Sequence, residues 1–278
     1  MKNKNPKVSV LTPIYNTNPE HLRQAVESIL AQTFSDFEFI ILNDSPENKE
    51  LAKIVKSYKD PRVVYVENKR NIGISASRNR LLELARGEYL AIFDHDDISM
   101  PDRLEKEAGY LDKNPWVGVV SGNVLFFPKK RITKCVADNL RIKQSLMFGM
   151  TVPHTACMLR KSVLIDNGVR WEEKYSPAED YMLMVRLIEH AMFHNFRDIL
   201  VRYRSFEGNT THRQFDKMRD ADAMIKCVAY AKYPYLVRSG GRKYWLRLFG
   251  VPLVRIKLEF RKMKFYLFGF IPVLYIRG

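Results

Sequence analysis

Short apolar runs alternate with longer amphipathic segments through the first 115 residues of the chain. Four runs have the length and apolar character of buried β-strands, at residues 7–11, 37–42, 63–66 and 89–93. Apolar residues recur at helical spacing in four segments, at residues 19–31, 47–58, 74–85 and 101–114. Asn18 precedes the first of these segments, where a helix cap is expected. The pattern predicts an α/β fold in which strands and helices alternate.

This order of elements predicts a mostly parallel, Rossmann-like sheet flanked by helices, because parallel neighbours must be joined by a crossover. Ligands bind such sheets at the carboxyl ends of the strands. Three polar clusters directly follow predicted strands: Pro13-Ile14-Tyr15-Asn16, Asn43-Asp44 and Asp94-His95-Asp96-Asp97. We therefore expect these clusters to meet at one edge of the sheet and to form a ligand site.

The pattern changes after about Trp116. Residues 117–127, 155–159 and 199–203 indicate strands, and residues 179–190 indicate a helix. We interpret residues 1–232 as one domain with two halves, at about 1–115 and 116–232, followed by a tail at residues 233–278.

The tail holds most of the positive net charge of the chain, and this suggests a role for it. The whole chain has a formal net charge of +15, and residues 238–278 contain ten Lys or Arg, one Glu and many aromatic residues. This basic, amphipathic extension is typical of segments that lie on an anionic membrane surface. The alternative is a C-terminal helix packed on the domain. Nucleic-acid binding is not expected, because no recognised motif accompanies the charge.

Three further observations concern the compartment. Cys135, Cys157 and Cys227 are too few and too irregularly spaced for a disulfide framework or a zinc site. Residues 1–7 are polar and basic, with no apolar segment after them that resembles a signal peptide. The longest uncharged apolar stretch near the end has 12 residues, whereas a spanning helix needs about 20. We expect a cytoplasmic protein that is peripheral on a membrane.

The acidic run Asp94-His95-Asp96-Asp97 is the strongest chemical signal. Three carboxylates within four residues repel one another, and a site that collects them requires a hard cation such as Mn²⁺ or Mg²⁺. A spacing of two along an extended segment lets Asp94 and Asp96 point the same way. The alternative is a solvated turn next to a helix N-terminus.

The other candidates each have a simple structural alternative. Glu179-Asp180 opens a predicted helix, where acids complement the helix dipole. Asp44 either contacts a nucleobase or makes an Asx turn. Arg78 either binds a phosphate in fork geometry or forms a surface salt bridge. His154 and Trp171 either face an acceptor or pack in the core, and core packing is the simpler interpretation.

Taken in order, several motifs resemble the family 2 glycosyltransferases of the GT-A fold over roughly residues 7–212. The motifs that carry the resemblance are Val8-Ser9-Val10-Leu11-Thr12-Pro13-Ile14-Tyr15-Asn16, Ala31-Gln32-Thr33-Phe34 with Phe37-Glu38, Asn43-Asp44, Asn71-Ile72-Gly73 with Ala76-Ser77-Arg78-Asn79, Gly87-Glu88-Tyr89, Asp94-His95-Asp96-Asp97, Ala178-Glu179-Asp180-Tyr181 and Tyr203-Arg204. Any one of them is modest evidence, and their joint occurrence in order is specific.

The resemblance implies a role for each matching residue. The first half of the domain binds a nucleotide-sugar, and the implied donor contacts are Pro13, Tyr15, Asp44, Arg78 and Asp94. The implied ligands of a divalent metal, Mn²⁺ or Mg²⁺, are Asp94, Asp96 and Asp97. The second half binds the acceptor through Glu179, and Asp180 is the implied general base.

The implied reaction is an inverting transfer of a hexose or N-acetylhexosamine from a nucleotide-sugar, by resemblance a UDP-sugar. The implied acceptor is a saccharide, lipid-linked in bacterial surface-polysaccharide synthesis such as that of O-antigen, capsule or lipooligosaccharide. This places the tail on the cytoplasmic face of the inner membrane. A single in-line displacement needs a base and a cation but no covalent nucleophile, and the sequence shows no Ser/His/Asp-like set.

The chain departs from the family pattern at two places. Asn43 stands where the family often has a first Asp, and Phe206 stands where a His often follows the Tyr-Arg pair. His212 is a candidate substitute for that lid histidine. The alternatives to a transferase are a metal-dependent sugar nucleotidyltransferase and a non-catalytic nucleotide-sugar-binding protein. A dinucleotide-dependent oxidoreductase is disfavoured, because the Gly-x-Gly-x-x-Gly motif is absent.

Overall fold

The computed structural model describes residues 5–206 and 214–237 in full, and beyond them the backbone of four strands between residues 243 and 277. His212, the candidate lid histidine, lies outside the described residues.

The first half of the chain forms the predicted alternation of strands and helices. Its elements are β1 (Val8–Ile14), α1 (Pro19–Leu30), β2 (Phe37–Asn43), α2 (Lys49–Ser57), β3 (Val63–Glu67), α3 (Ile74–Leu84), β4 (Tyr89–Ile92), β5 (Ile98–Ser99) and α4 (Arg103–Lys113). The Asn18 side chain accepts hydrogen bonds from the amides of Glu20 and His21, and so caps α1 as its position predicts. The predicted boundaries agree with these elements to within three residues, apart from the short strand β5.

The second half continues the same sheet. Its elements are β6 (Val117–Phe127), β7 (Arg131–Ile132), α5 (Asn139–Leu146), β8 (Cys157–Arg160), α6 (Lys161–Asp166), α7 (Glu179–Arg186), β9 (Met192–Arg204) and α8 (Phe215–Lys232). The order of strands across the sheet is β3-β2-β1-β4-β8-β6-β9-β5, with β7 paired to β6.

The direction of the strands differs between the two halves. β3, β2, β1 and β4 are parallel, as the sequence pattern predicts. β8 then enters antiparallel to both β4 and β6, while β6 and β9 are parallel to each other. The sheet is therefore mixed, and the expected parallel order is confined to its first half and to the β6–β9 pair.

Helices cover both faces of this sheet. Along β2, Phe39 and Ile41 pack into the core cluster that contains α1, α2 and α4. The intervening Ile40 and Leu42 pack into the cluster that contains α3, α5, α7 and α8. This alternation explains why the strand is a continuous apolar run, because both of its faces are buried.

The tail has strands where a packed helix was one sequence alternative. They are β10 (Lys243–Leu248), β11 (Val251–Glu259), β12 (Lys262–Leu267) and β13 (Ile271–Arg277), paired antiparallel in that order. The separation of residues 233–278 from the domain, and its membrane association, stay predictions. The three cysteines are free thiols. Among the helices that the structure describes, none is long and apolar enough to cross a bilayer.

Candidate active site

A cleft of about 1250 Å³ opens at the carboxyl ends of β1, β2 and β4. The three polar clusters that follow these strands meet there, together with the start of α7. The cleft brings together most of the residues that the sequence singles out: Pro13, Tyr15, Asp44, Arg78, Asp94, Asp96, Glu179 and Asp180. Asp97 and Trp171 are not part of its lining.

Asp44 fastens the loop that precedes α3. Its Oδ1 accepts hydrogen bonds from the Asn68 amide group at 2.6 Å and from the Ile72 backbone N–H at 2.9 Å. Its Oδ2 accepts from the backbone N–H of Gly73 at 3.0 Å. Gly73 has a φ of +86°, a conformation that favours glycine. The Asp44 carboxylate thus fixes the loop from which α3 starts.

The Asx turn considered for Asp44 is made instead by its neighbour. Asn43 Oδ1 accepts from the backbone N–H of Ser45 at 2.9 Å. The Ser45 hydroxyl in turn accepts from the backbone N–H of Asn16, which has a φ of +44°. Asn43 therefore shapes the strand end and leaves the Asp44 carboxylate to the loop.

Arg78 connects the two acidic clusters. Its guanidinium donates to Glu179 Oε1 at 2.5 Å and to Asp94 Oδ1 at 3.3 Å, and the residue is 8% exposed. Burial acts to lower the pKa of Arg78, and Glu179 and Asp94 outweigh it, so the pKa is raised. A salt bridge is present, buried rather than at the surface, and phosphate binding by Arg78 stays a prediction. It brings Glu179-Asp180 next to the acidic run.

Asp180 is the titratable group most suited to proton transfer. It lies in the first turn of α7, lines the cleft and is partly exposed. Burial and the neighbouring Glu179 carboxylate raise the pKa of Asp180 to about 7, against the opposing effect of Arg78. A carboxylate with a pKa near neutrality can take a proton from a hydroxyl group and later release it.

The members of the acidic run have different environments. Asp94 and Asp96 line the cleft, and burial raises the pKa of Asp96, with Asp94 adding to the rise. Asp97 is 1% exposed, and its Oδ1 accepts from the backbone N–H of Arg204 at 2.8 Å. Burial, with Asp96 and Asp94 nearby, raises the pKa of Asp97 well above its usual range.

The end of β4 that leads into the acidic run is held in place by buried residues that belong to none of the sequence motifs. Arg103 on α4 is fully buried, pairs with Glu107 at 3.0 Å and donates to the carbonyl oxygens of Ile92 and Cys157. The Thr155 hydroxyl accepts from the backbone N–H of Asp94 at 3.2 Å. The sequence pattern cannot predict that Arg103 is buried, because an arginine on an amphipathic helix is usually at the surface.

The oxygen atoms of Asp94 and Asp96 suit a hard divalent cation. Within the described ranges, no group of three or more His, Cys, Asp or Glu side chains is arranged to hold a metal ion. Two carboxylates in a cleft are nevertheless sufficient when a diphosphate supplies further oxygen ligands, as is usual for Mg²⁺. The side chains present therefore fit a cation that binds together with a phosphorylated ligand.

Comparisons with known proteins agree with this geometry. Residues 9–168 match the family model described as Glycosyl transferase family 2. The chain is 36% identical to an uncharacterized glycosyltransferase of Methanocaldococcus jannaschii, over 72% of this chain and 71% of that protein. It is 30% identical to the putative glycosyltransferase EpsE of Bacillus subtilis, over 77% and 78%. It is 29% identical to the amylovoran biosynthesis glycosyltransferase AmsE of Erwinia amylovora, over 71% and 76%.

Solved structures share the architecture. TarS of S. aureus, residues 1–349 in complex with UDP-GlcNAc, superposes with a TM-score of 0.68 at 19% identity, over 83% of this chain and 70% of that one. A mannosyltransferase of Pyrobaculum calidifontis in complex with GDP-Man and Mn²⁺ has a TM-score of 0.61 at 16% identity, over 83% and 65%.

The mixed sheet with helices on both faces is thus the GT-A fold of glycosyltransferases, as the sequence motifs predict. The chain belongs to glycosyl transferase family 2. The family resemblance drawn from the motifs is confirmed.

Proposed function

We propose that this glycosyltransferase is inverting and metal-dependent, and that it moves a hexose or N-acetylhexosamine from a nucleotide-sugar to a saccharide acceptor. The observation that carries the proposal is Arg78, which pairs with Asp94 at the end of β4 and with Glu179 at the start of α7. Through these two contacts, the proposed donor residue Asp94 lies close to Glu179, the proposed acceptor residue.

The donor base is proposed to bind between Pro13, Tyr15 and Asp44, which line one end of the cleft. Tyr15 is 50% exposed, and its aromatic ring suits stacking on a base. A carboxylate offers about four lone-pair sites, and Asp44 uses three of them on Asn68, Ile72 and Gly73. The remaining site suits the ring N–H of uracil, which favours a UDP-sugar. TarS was solved with UDP-GlcNAc.

Asp94 and Asp96 are the proposed ligands of Mn²⁺ or Mg²⁺. When bound there, a divalent cation offsets the negative charge of the leaving nucleoside diphosphate. We assign Asp97 to support rather than to ligation, because its carboxylate is buried and accepts from the Arg204 backbone. The mannosyltransferase of Pyrobaculum calidifontis was solved with Mn²⁺.

Asp180 is the proposed general base. In a single displacement, Asp180 removes the proton of the acceptor hydroxyl as the hydroxyl oxygen bonds to the anomeric carbon opposite the diphosphate. The bond from that carbon to the diphosphate breaks, which inverts the anomeric centre. With its pKa raised to about 7, about half of Asp180 is ionised at neutral pH and able to accept a proton. Glu179 Oε1 accepts a hydrogen bond from Arg78, and Glu179 Oε2 has no partner among the described residues. We propose that this second oxygen binds a hydroxyl of the acceptor sugar.

The acceptor is proposed to be lipid-linked and to belong to surface-polysaccharide synthesis; the relative AmsE is named for amylovoran biosynthesis. Four exposed cations on and beside the β6–β7 hairpin support an anionic acceptor: Lys129, Lys130, Arg131 and Lys134. None of the four pairs with an acidic side chain in the part of the chain that the structure describes. Lys134 lines the cleft.

We further propose that the basic tail holds the enzyme on the cytoplasmic face of the inner membrane, where such an acceptor is presented. Each Lys or Arg near an anionic surface contributes about 1 kcal/mol. Co-sedimentation of the full chain with phosphatidylglycerol vesicles at low salt tests this, with phosphatidylcholine vesicles as the control. A chain that stays in the supernatant with both compositions contradicts the proposal.

The transfer itself is tested with purified protein, Mn²⁺ and a panel of UDP-glucose, UDP-galactose, UDP-N-acetylglucosamine and GDP-mannose. Release of nucleoside diphosphate that depends on an added lipid-linked saccharide supports the proposal. Release of pyrophosphate from a nucleoside triphosphate and a sugar phosphate would instead identify a nucleotidyltransferase. Binding of nucleotide-sugar without turnover of any acceptor would leave a binding protein.

A further inference from the structure

His154 lines the cleft that also contains the two acidic clusters. It precedes β8 and is 6% exposed. The next residue, Thr155, accepts from the backbone N–H of Asp94. The side chain is therefore held in the wall of the reaction centre, although no motif marks it.

The hydrogen bond from Trp171 defines the tautomer of His154. Trp171 Nε1–H points to His154 Nε2 at 3.3 Å, with the two rings nearly perpendicular at 82°. An indole nitrogen can only donate, so Nε2 must carry a lone pair. In a neutral imidazole the proton then resides on Nδ1. Burial, with Arg78 and Arg103 nearby, lowers the pKa of His154 well below its usual range and keeps the ring neutral.

Asn79 holds Trp171 in place. The Asn79 amide donates to the Trp171 carbonyl oxygen at 2.8 Å and accepts from its backbone N–H at 3.0 Å. Asn79 follows Arg78 on α3. The same helix thus places the guanidinium between the acidic clusters and, through Trp171, directs the Nδ1–H of His154.

This Nδ1–H has no acceptor among the residues that the structure describes. Glu179 Oε2 and Thr151 Oγ1, which belong to residues lining the same cleft, likewise have no partner within the described ranges. Buried polar atoms without partners are costly and mark places where a ligand completes the hydrogen bonding. One fixed donor, one carboxylate acceptor and one hydroxyl complement a group that both donates and accepts.

We propose that His154 is a specificity-determining contact, whose Nδ1–H donates to one hydroxyl of the saccharide bound at the reaction centre. This inference rests on the proposed function and adds a residue to it. A neutral donor in the same cleft as the Glu179 carboxylate favours a hydroxyl over a phosphate, because a carboxylate repels an anion. Trp171 and Asn79 act through His154 and are positioning residues.

Two substitutions separate the two nitrogen atoms of the ring. His154→Asn keeps a donor near the position of Nδ1 and loses the partner of Trp171. His154→Gln keeps an acceptor for Trp171 near the position of Nε2 and loses the donor. A structural role predicts that Asn is the more harmful change, whereas the proposed contact predicts that Gln is. His194→Gln is the matched control, because His194 stacks on Tyr110 and is not among the residues that line the cleft.

The transferred sugar and the acceptor sugar are distinguished by two measurements. Calorimetry compares the Kd values of UDP-glucose, UDP-N-acetylglucosamine and GDP-mannose with those of UDP and GDP, without acceptor. Steady-state kinetics gives the KM of the lipid-linked acceptor. We expect His154→Gln to weaken one of these, nucleotide-sugar binding or acceptor KM, by about tenfold while nucleoside diphosphate binding is unchanged, and His154→Asn to restore most of it.

Analogues of the affected sugar that lack one hydroxyl complete the test. At one ring position, removal of the hydroxyl should cost the wild type about tenfold and cost His154→Gln nothing further. Equal losses in wild type and variant at every position overturn the inference, as does an unchanged Kd and KM in His154→Gln. If the wild type binds nucleotides but transfers no sugar, the proposed function fails, and calorimetry still decides whether His154 contacts the donor sugar.

Discussion

The two halves of the cleft differ in how their charged groups are compensated. On the proposed donor side, the carboxylates are hydrogen-bonded within the protein: Asp44 accepts three hydrogen bonds, and Asp97 accepts one from the Arg204 backbone N–H. On the acceptor side, the four cations of the β6–β7 hairpin have no acidic partner in the described part of the chain. The first arrangement gives a preformed pocket, and the second gives a surface that a ligand must neutralise.

Under the proposed function, the first side binds the nucleotide and the second side is expected to select the acceptor. A pocket with internal hydrogen bonds binds the same nucleotide part whatever sugar is transferred. A surface of uncompensated cations selects the ligand by its charge. Substitutions on the two sides should therefore affect different kinetic constants.

The largest effect is expected where the two halves meet. Asp180→Asn removes the proposed base without changing the size of the side chain. We expect kcat to fall by a factor of about 10² to 10⁴, with nucleotide-sugar affinity unchanged. Release of nucleoside diphosphate measures kcat, and calorimetry measures nucleotide-sugar affinity. Asp198→Asn, at a surface ion pair with Lys106, serves as the control, and full transfer activity in Asp180→Asn would refute the base assignment.

The pH profile examines the same residue without a substitution. The base must be ionised, and its pKa is raised to about 7. Activity should therefore be constant above that pH and fall as the pH drops through it, approaching tenfold per unit. The acceptor kcat/KM, measured from about pH 5 to about pH 9, gives the midpoint. A profile that is flat through neutrality would contradict the raised pKa of Asp180.

A smaller effect should follow from loosening the donor pocket. Asp44→Asn cannot accept all the hydrogen bonds of the carboxylate, and the loop before α3 loses part of its anchor. We expect nucleotide affinity to fall about tenfold and the free energy of unfolding to fall by about 1–3 kcal/mol. Calorimetry with UDP and thermal unfolding measure the two.

The matched change for that prediction is on the acceptor side. Asp138→Ala removes the side chain that caps α5 by accepting from the Arg141 backbone, at a cost of about 1 kcal/mol. It should lower stability and leave nucleotide affinity as it is. A loss of UDP binding in this variant equal to that in Asp44→Asn would remove the distinction between the two halves.

The smallest effect concerns the hairpin. Replacing Lys129, Lys130, Arg131 and Lys134 together by Gln should raise the acceptor KM about three- to tenfold and flatten its dependence on salt. Nucleotide affinity should be unchanged. Lys53→Gln with Lys113→Gln, two exposed lysines of the donor half, is the control. An acceptor KM unaffected by the fourfold change would show that these cations do not bind the acceptor.

Periodicity predicts the first half of the fold well, because β1, β2 and β4 are buried on both faces and each helix buries one side. The meeting of the polar clusters also follows from the sequence, since parallel strands bring their carboxyl ends to one edge. The antiparallel entry of β8 does not follow, because an apolar run has no direction. Tertiary pairing alone decides it.

In the candidate site, residues in local motifs are likewise predictable, while contacts between distant residues are not. Asp94 and Asp96 are predictable from a local motif at a strand end. The pairing of Arg78 with Glu179 is not, because it joins residues 101 positions apart. The contact between His154 and Trp171 is also long-range, at 17 positions. Core packing, the simpler sequence interpretation, describes Trp171, whereas His154 is buried and also lines the cleft.

The ion pair between Arg78 and Glu179 has a consequence for engineering. A chimaera that joins this donor half to the acceptor half of another family member would exchange most of the specificity surface in one step. The foreign half must then supply a carboxylate opposite Arg78, since a buried guanidinium without its partner is strongly destabilising. Compatibility between halves can thus be screened by one residue, the acid that precedes the proposed base.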